Sequence, residues 1–298
     1  MNWAGGMHHA AEARASGFCF VNDIVLCIRR LLQHYQRVLY VDLDVHHGDG
    51  VEGAFRDNCR VMTVSLHQFG EGFYPGTGDY CTPATAHSFA INCPLPPSTG
   101  DAAYLLSFRT ILSSVVECYD PEAVVLQCGA DTIAGDTLGR LAVTTFAHTQ
   151  CVADVLDLHL PTVLLGGGGY NVLHTAKCWA IHTATALGRT AAQLPVYIPR
   201  SDAYYMQYRK ECAPLRPTLH VSLDPDVDRP LDTGISFRYW RQLCVSLQWQ
   251  LRAARVLRER LTRTISRAQE YQQLMLSGAR QQTSRKRSRG GEKEIKEE

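Results

Sequence analysis

The sequence predicts an α/β protein built on a mostly parallel sheet with helices on both faces. Three observations carry that expectation. Short apolar, β-branched runs recur at 38–41, 61–66, 123–126 and 162–165, each bounded by polar or glycine-rich residues. Helix-like segments lie between several of them, which is the alternation that builds parallel sheets. Acids and histidines gather just past the ends of these runs, where open parallel sheets collect functional groups.

The elements follow in order. Residues 23–35 carry Ile24, Ile28, Leu31 and Leu32 at helical spacing. Further helices are expected at 103–119, 144–158 and 173–187, the last following the final strand. From 195 to 234 prolines recur and the periodicity fades, so irregular structure is expected. Helical periodicity returns with Trp240, Leu243, Leu247, Leu251, Ala254, Leu257, Leu261 and Ile265, spaced by threes and fours. The final stretch is highly charged and lacks aromatics, which predicts disorder. The expected organisation is a folded body over 1–200, a proline-rich connection over 201–237, a basic amphipathic helix over 238–276 and a disordered tail over 277–298.

Bulk properties narrow the class. The 298 residues are 45% hydrophobic and 20% charged, an ordinary globular balance with enough chain for a large core. No run of eighteen apolar residues marks a membrane span, and the N-terminus does not read as a signal peptide. Eleven cysteines, none spaced as CxxC, argue for reduced thiols in an intracellular protein and against a zinc finger or a disulfide framework. The net charge of +1 hides an asymmetry. Residues 1–237 carry 15 basic and 23 acidic side chains, whereas 238–298 carry 15 and 6. An acidic body and a basic C-terminal part predict two functional units.

The stretch YVDLDVHHGDG packs Asp42, Asp44, His46, His47 and Asp49 behind an apolar strand. Buried charges are costly unless paired, and a metal ion is the usual partner. Along a strand Asp42 and Asp44 share a face, and His46 can turn inward past its end. Asp44 and His46 supply two ligands of an open catalytic site. Asp131, in LQCGADTIAGD just beyond another apolar strand, is the best third. Two carboxylates and one imidazole suit zinc, and also Fe(II), Co(II) or Mn(II).

Adjacent His8 and His9 in GGMHHA are suited to move protons beside such an ion. Asp42 and Asp49 are available to fix their tautomers. LLGGGGY permits a sharp turn that presents Tyr170 as an oxyanion donor, and it lacks the residues of a phosphate-binding loop. The glycine-flanked aromatics Phe18 and Tyr74, in SGFCF and EGFYPGTGD, are candidates for the walls of a narrow apolar channel.

Taken together, NWAGGMHHA, ASGFCFVNDIVL, RVLYVDLDVHHGDGVEGAF, RVMTVSLH, YPGTGD, AVVLQCGAD and LLGGGGY strongly resemble the class I zinc-dependent histone deacetylases of the arginase/deacetylase superfamily. The match runs across residues 1 to about 188. It implies an arginase/deacetylase-like fold, with a catalytic domain over 1–200, and hydrolysis of N6-acetyl-lysine to lysine and acetate. Carried onto this chain, Asp44, His46 and Asp131 match the metal ligands. His8 and His9, supported by Asp42 and Asp49, match the acid/base pair, and Tyr170 matches the oxyanion donor. Gly17, Phe18, Cys19, Tyr74 and Leu138 match the substrate tunnel. Asp42 and Ser65 match positions near a structural potassium ion.

The resemblance also implies acetylated histone tails as substrate, corepressor-type partners, transcriptional repression and a nuclear setting, with the cytoplasm as a second compartment. SRKRSR at 284–289 fits a nuclear signal or a nucleic-acid contact. Three departures stand out. Tyr74 replaces a phenylalanine before PGTGD, with one extra residue in its loop. Thr137 and Leu173 stand where inositol-phosphate-binding members carry arginines, which argues against that regulator. Met1 directly precedes NWAGG, so the first strands of the family fold are expected to be missing. Two rival readings are a non-catalytic scaffold and an amidohydrolase acting on acetylpolyamines.

Overall fold

The structure, a computed structural model, describes residues 1–79, 89–190, 193–195 and 197–211. Five strands form one wholly parallel sheet: β1 (Val38–Asp42), β2 (Val61–Gln68), β3 (Ala90–Leu95), β4 (Ala123–Gln127) and β5 (Thr162–Leu165). Their spatial order is β3-β2-β1-β4-β5. The chain therefore builds outward from β1 in one direction, then returns to β1's other side with β4. That reversal opens a crevice beyond the carboxyl ends of β1 and β4, the place where such sheets bind ligands.

The helices are α1 (Asp23–Leu31), α2 (Asp49–Phe55), α3 (Asp101–Tyr119), α4 (Thr145–Leu156), α5 (Val172–Ala186) and α6 (Tyr205–Glu211). Val38 and Tyr40 of β1 join Ile24 and Ile28 of α1 and Val51 and Phe55 of α2 in one core cluster. Leu39 and Val41, which alternation places on the opposite face, are equally buried. Both faces of the sheet are therefore covered, as the near-continuous apolar strands require. Asn22, Thr144 and Asn171 cap α1, α4 and α5 by accepting from the backbone N–H three residues on. Asp101 accepts from both the N–H and the hydroxyl of Thr144 at 2.6 Å, which ties the start of α3 to the cap of α4.

All four expected strands and four expected helices are present, with ends shifted by a few residues. Two elements were not foreseen. Strand β3 reads AINCPL, and its proline obscures the pattern; the strand lies at the end of the strand order, where a missing donor is tolerated. Helix α2 is only seven residues long and starts inside the acid–histidine motif, which masks its helical period. A correction applies to the expected irregular connection. Within it, α6 forms over the proline-free run YMQYRKE, after a turn in which Asp202 accepts from the Tyr204 N–H. The amphipathic helix over 238–276 and the tail over 277–298 lie outside the described residues. Cys19, Cys27, Cys59, Cys128, Cys151 and Cys178 are free thiols. Among the described residues, no helix is long and apolar enough to cross a membrane.

The N-terminal residues run beside β5. The Asn2 N–H donates to Leu164 O, and the Gly166 N–H donates to Asn2 O. This delivers the segment with His8 and His9 to the carboxyl end of the sheet.

Helix α2 carries the buried Glu52, which accepts from His47 Nε2 at 2.9 Å and Asn92 Nδ2 at 2.8 Å. Burial opposes its charge, but His47, Asn92 and Arg56 outweigh burial and hold the carboxyl at about 2, down from 4.5. A depressed carboxyl pKa stabilises the fold above the unfolded value, and that stabilisation is lost as pH falls through the folded value. Between pH 4.5 and 2 this one group is expected to remove on the order of 3 kcal/mol of stability. Urea denaturation across that range checks it: Glu52→Gln should show a correspondingly shallower acid slope than the unsubstituted chain.

Candidate metal centre

Three side chains converge at the switch point. Strand β1 ends at Asp42, so Asp44 lies just past the strand and not on it as expected. Asp44 Oδ1 accepts the His46 backbone N–H at 3.0 Å, a tight turn that swings the imidazole back toward the carboxylate. The parallel register of β1 with β4 carries Asp131 alongside, and Asp131 Oδ1 accepts the Val45 N–H at 2.8 Å. His46 Nδ1 sits 3.0 Å from Asp44 Oδ1 and 3.1 Å from Asp131 Oδ2. The ligating atoms of Asp44, His46 and Asp131 lie within 4.8 Å of one another, and all three residues are buried.

The donor set fits a divalent cation. Asp131 Oδ2 is a fully buried carboxylate oxygen with no conventional hydrogen-bond partner. Two buried carboxylates so close together cannot both carry charge cheaply. Burial and Asp44 push Asp131 up to about 7, while burial of Asp44 is outweighed by His8 and His46, which hold it well below its usual range. A cation removes that conflict. Asp44 Oδ2 is already oriented by Gln127 Nε2 and the Gly168 N–H, both at 2.8 Å.

The two adjacent histidines lie beside this trio with ring centroids 4.0 Å apart. His8 Nδ1 donates to Asp42 at 2.7 Å, and His9 Nδ1 donates to Asp49 at 2.7 Å. Each carboxylate sets its partner's tautomer and leaves Nε2 facing away from the pair. The two environments differ. Burial disfavours charge on His8, but Asp42 and Asp44 override it and push the ring up to about 9. Burial and the charge of His8 push His9 down. Asp42 also accepts from the Tyr40 hydroxyl at 2.6 Å, and Ser65 stands opposite it in the β1–β2 register.

The expected tunnel residues are largely gathered here. The Tyr170 ring lies 6.4 Å from His46 and 6.1 Å from Phe18, itself exposed at a φ of 64°. Tyr74 stands edge-on to His9 at 4.9 Å, and its hydroxyl hydrogen-bonds the Ser16 hydroxyl at 2.6 Å. A Cβ at Gly17 would lie 2.2 Å from the His9 ring, so only glycine lets that loop close over the histidines. Cys19 is buried, with its Sγ donating to Gly17 O. Leu138 is half exposed, and its backbone N–H donates to Asp136.

Several contributors escaped the sequence reading. Phe73 stacks flat on His46 at 5.3 Å, one residue before the tyrosine singled out. Gln127 orients Asp44, although in the sequence it looks like the tail of a strand. Asp136 binds the backbone N–H groups of Leu138, Gly139, Tyr170 and Asn171, so it joins two site loops. Its place at the end of GADTIAGD was the available signal.

The glycine run proves to have a second purpose besides presenting Tyr170. A Cβ at Gly168 would lie 2.0 Å from Asp131 Oδ2 and 3.0 Å from Asp44 Oδ2. The loop is glycine because it presses directly on the two carboxylates.

An open parallel sheet with two carboxylates, one imidazole and two carboxylate-paired histidines at its switch point is an α/β scaffold whose site could hold a divalent cation beside two proton-transfer groups. Residues 1–186 match the histone deacetylase domain family, and the chain belongs to that family. Over 210 residues, 70% of this chain, it is 48% identical to histone deacetylase 1 of Homo sapiens and 49% identical to histone deacetylase 9 of Arabidopsis thaliana. It is 49% identical over 227 residues to a probable histone deacetylase 19 of Zea mays. These matches span 42%, 48% and 42% of the relatives' own lengths.

Gly168→Ala is expected to push Asp131 off the trio and weaken zinc binding at least about tenfold, at a cost of more than about 1.4 kcal/mol. Competition with a chromophoric chelator measures this, with circular dichroism as the control for folding.

Proposed function

We propose that the chain hydrolyses N6-acetyl-lysine on histone tails, giving lysine and acetate. The observation that carries this reading is the buried Asp44–His46–Asp131 trio flanked by two carboxylate-paired histidines. Asp44, His46 and Asp131 would hold the metal, zinc by preference and Fe(II) or Co(II) as alternatives. When bound, it would supply Lewis acidity to a substrate carbonyl and to a water molecule.

The chain's own residues do the rest. His9, kept neutral by burial and by His8, takes a proton from water at Nε2, and Asp49 steadies the resulting charge. His8, held cationic between Asp42 and Asp44, adds positive charge where oxyanion character develops. A protonated histidine of the pair then supplies the proton that the leaving lysine amine requires. The Tyr170 phenol, kept un-ionised by burial and by Asp44, is a hydrogen-bond donor for the oxyanion. Phe18, Phe73 and Tyr74 offer apolar ring surface for the lysine methylenes, while Gly17 and Cys19 let the loop close over His9. Asp42 and Ser65 would border a structural potassium ion.

Acetylated histone tails, corepressor-type partners and a nuclear location belong to the same reading. The basic residues 238–298 and SRKRSR suit a chromatin setting better than a small polyamine substrate does.

Acetate release from an acetylated histone-tail peptide by the zinc-loaded 298-residue chain tests the proposal. Release is expected, and Asp44→Ala should abolish it. Tyr170→Phe is expected to lower kcat by about 10²–10³ while KM changes little, as for other removed oxyanion donors. A folded, zinc-loaded chain that releases no acetate would overturn the catalytic reading in favour of a scaffold. Preference for acetylpolyamines over the peptide would overturn the substrate.

A further inference from the structure

A second cluster of metal-ligating side chains lies among the helices. His148 on α4 meets Cys178 and His182 on α5, and all three are fully buried. Cys178 and His182 stand four residues apart, so they project from one face of α5. His148 Nδ1 is 3.2 Å from His182 Nε2, and Cys178 Sγ is 3.3 Å from that same nitrogen. All three donor atoms lie within 4.8 Å of one another. Zinc bonds of about 2.0–2.1 Å to nitrogen and 2.3 Å to sulfur, at tetrahedral angles, place two nitrogens about 3.3 Å apart and a nitrogen and a sulfur about 3.6 Å apart. The two closest separations are within a few tenths of an ångström of those values.

Hydrogen bonding alone leaves this cluster poorly satisfied. His148 Nε2 lies 2.9 Å from Gly129 O and must donate there, so the neutral ring keeps its lone pair on Nδ1. If His182 Nε2 donates to that lone pair, the Cys178 thiol loses its acceptor. His182 Nδ1 is then a buried lone pair without a partner. In the other tautomer, two lone pairs face each other at 3.2 Å, and an N–H is buried with no acceptor. Burial pushes His148 down to about 4 and His182 well below its usual value, so protonating a ring offers no relief.

We propose that His148, Cys178 and His182 form a second metal site, which takes a borderline-soft divalent ion of the zinc class. The cation is the shared partner that the three converging lone pairs lack; it fixes His182 as the Nδ1–H tautomer, so it removes the facing lone pairs and leaves that buried N–H as the one group still unpaired. As the sulfur–metal bond forms, the Cys178 thiol gives its proton to solvent, and no oxidation state changes. Both rings bind neutral. The His148 Nε2–H···O=C bond to Gly129 is the outer hydrogen bond that orients a ligating imidazole. Gly129 lies two residues before Asp131, so the ion would clamp α4 and α5 to the backbone that carries the catalytic carboxylate. The thiolate makes this site softer than the Asp44–His46–Asp131 centre, and the two are separable by spectroscopy.

Cobalt(II) loaded into the 298-residue chain tests the proposal. Two ions per chain and a thiolate-to-cobalt charge-transfer band are expected, with a sulfur scatterer at about 2.3 Å in metal X-ray absorption. Asp44→Ala should keep the band and lower the count to one. Cys178→Ser should lose the band and one ion. One ion per unsubstituted chain, bound only by oxygen and nitrogen, would overturn the proposal and leave the trio as hydrogen-bonded core. A band that survives in a folded Cys178→Ser chain would overturn it as well, because the thiolate would then belong to another cysteine.

Discussion

The structure is organised around two carboxylates that have no business being buried together. Asp44 and Asp131 offer oxygens within 4.8 Å of one another inside the protein. At an effective dielectric of 20, two unit charges at that separation repel by about 3–4 kcal/mol, before any desolvation is counted. Everything near the crevice either tolerates that charge or offsets it. His46 lies between the carboxylates, His8 brings a positive ring toward Asp44, and Gln127 and backbone N–H groups donate to the oxygens. Asp131 Oδ2 still lacks a conventional hydrogen bond although His46 Nδ1 lies 3.1 Å away, and a metal ion would meet that residual electrostatic demand.

The fold explains how such a cluster is assembled from distant sequence. Because β4 pairs beside β1, the loops after these two strands meet at the one point where the strand order reverses. The N-terminal segment, laid along β5, brings His8 and His9 to the same end. The 166–169 loop then covers the carboxylates so tightly that side chains are excluded. Asp136 fastens that loop to the one after β4. A rigid sheet fixes Asp44, His46 and Asp131 and glycine-rich loops close over them, a division of labour that keeps precision where charge is concentrated.

Much of this was legible in advance, and particular residues show why. The runs at 38–41 and 123–126 are strands because they are buried on both faces, and a continuous apolar run is the mark of that burial. Asp44, His46 and Asp131 could be named because acids and imidazoles past a buried strand need a partner. Tyr170 and the paired histidines were legible through their motifs. Strand β3 was not, because Pro94 violates strand propensity and is accepted only through its position in the sheet. Phe73 is not marked in the sequence beside Tyr74, because one-residue register in a loop of aromatics has no sequence signature; in the fold Phe73 stacks flat on His46 while Tyr74 meets it edge-on. Gln127 and Asp136 act by hydrogen bonds to residues dozens of positions away, and no local spacing encodes such bonds.

The sequence by itself determined the fold class, the family and the chemical inventory of the site, because burial periodicity and dense acid–histidine motifs are local properties. Tertiary structure alone decided the relations among those groups. It set which imidazole is pushed toward the charged form and which away from it, which carboxylate oxygen lacks a hydrogen bond, and which aromatic ring stacks flat on His46. It also brought His148 on α4 against Cys178 and His182 on α5, a third donor that the four-residue spacing of Cys178 and His182 does not reveal by itself. The physical reason is the same in each case. Protonation, coordination and stacking depend on distances between side chains from different elements, and those distances exist only once the sheet has put β1, β4 and β5 side by side.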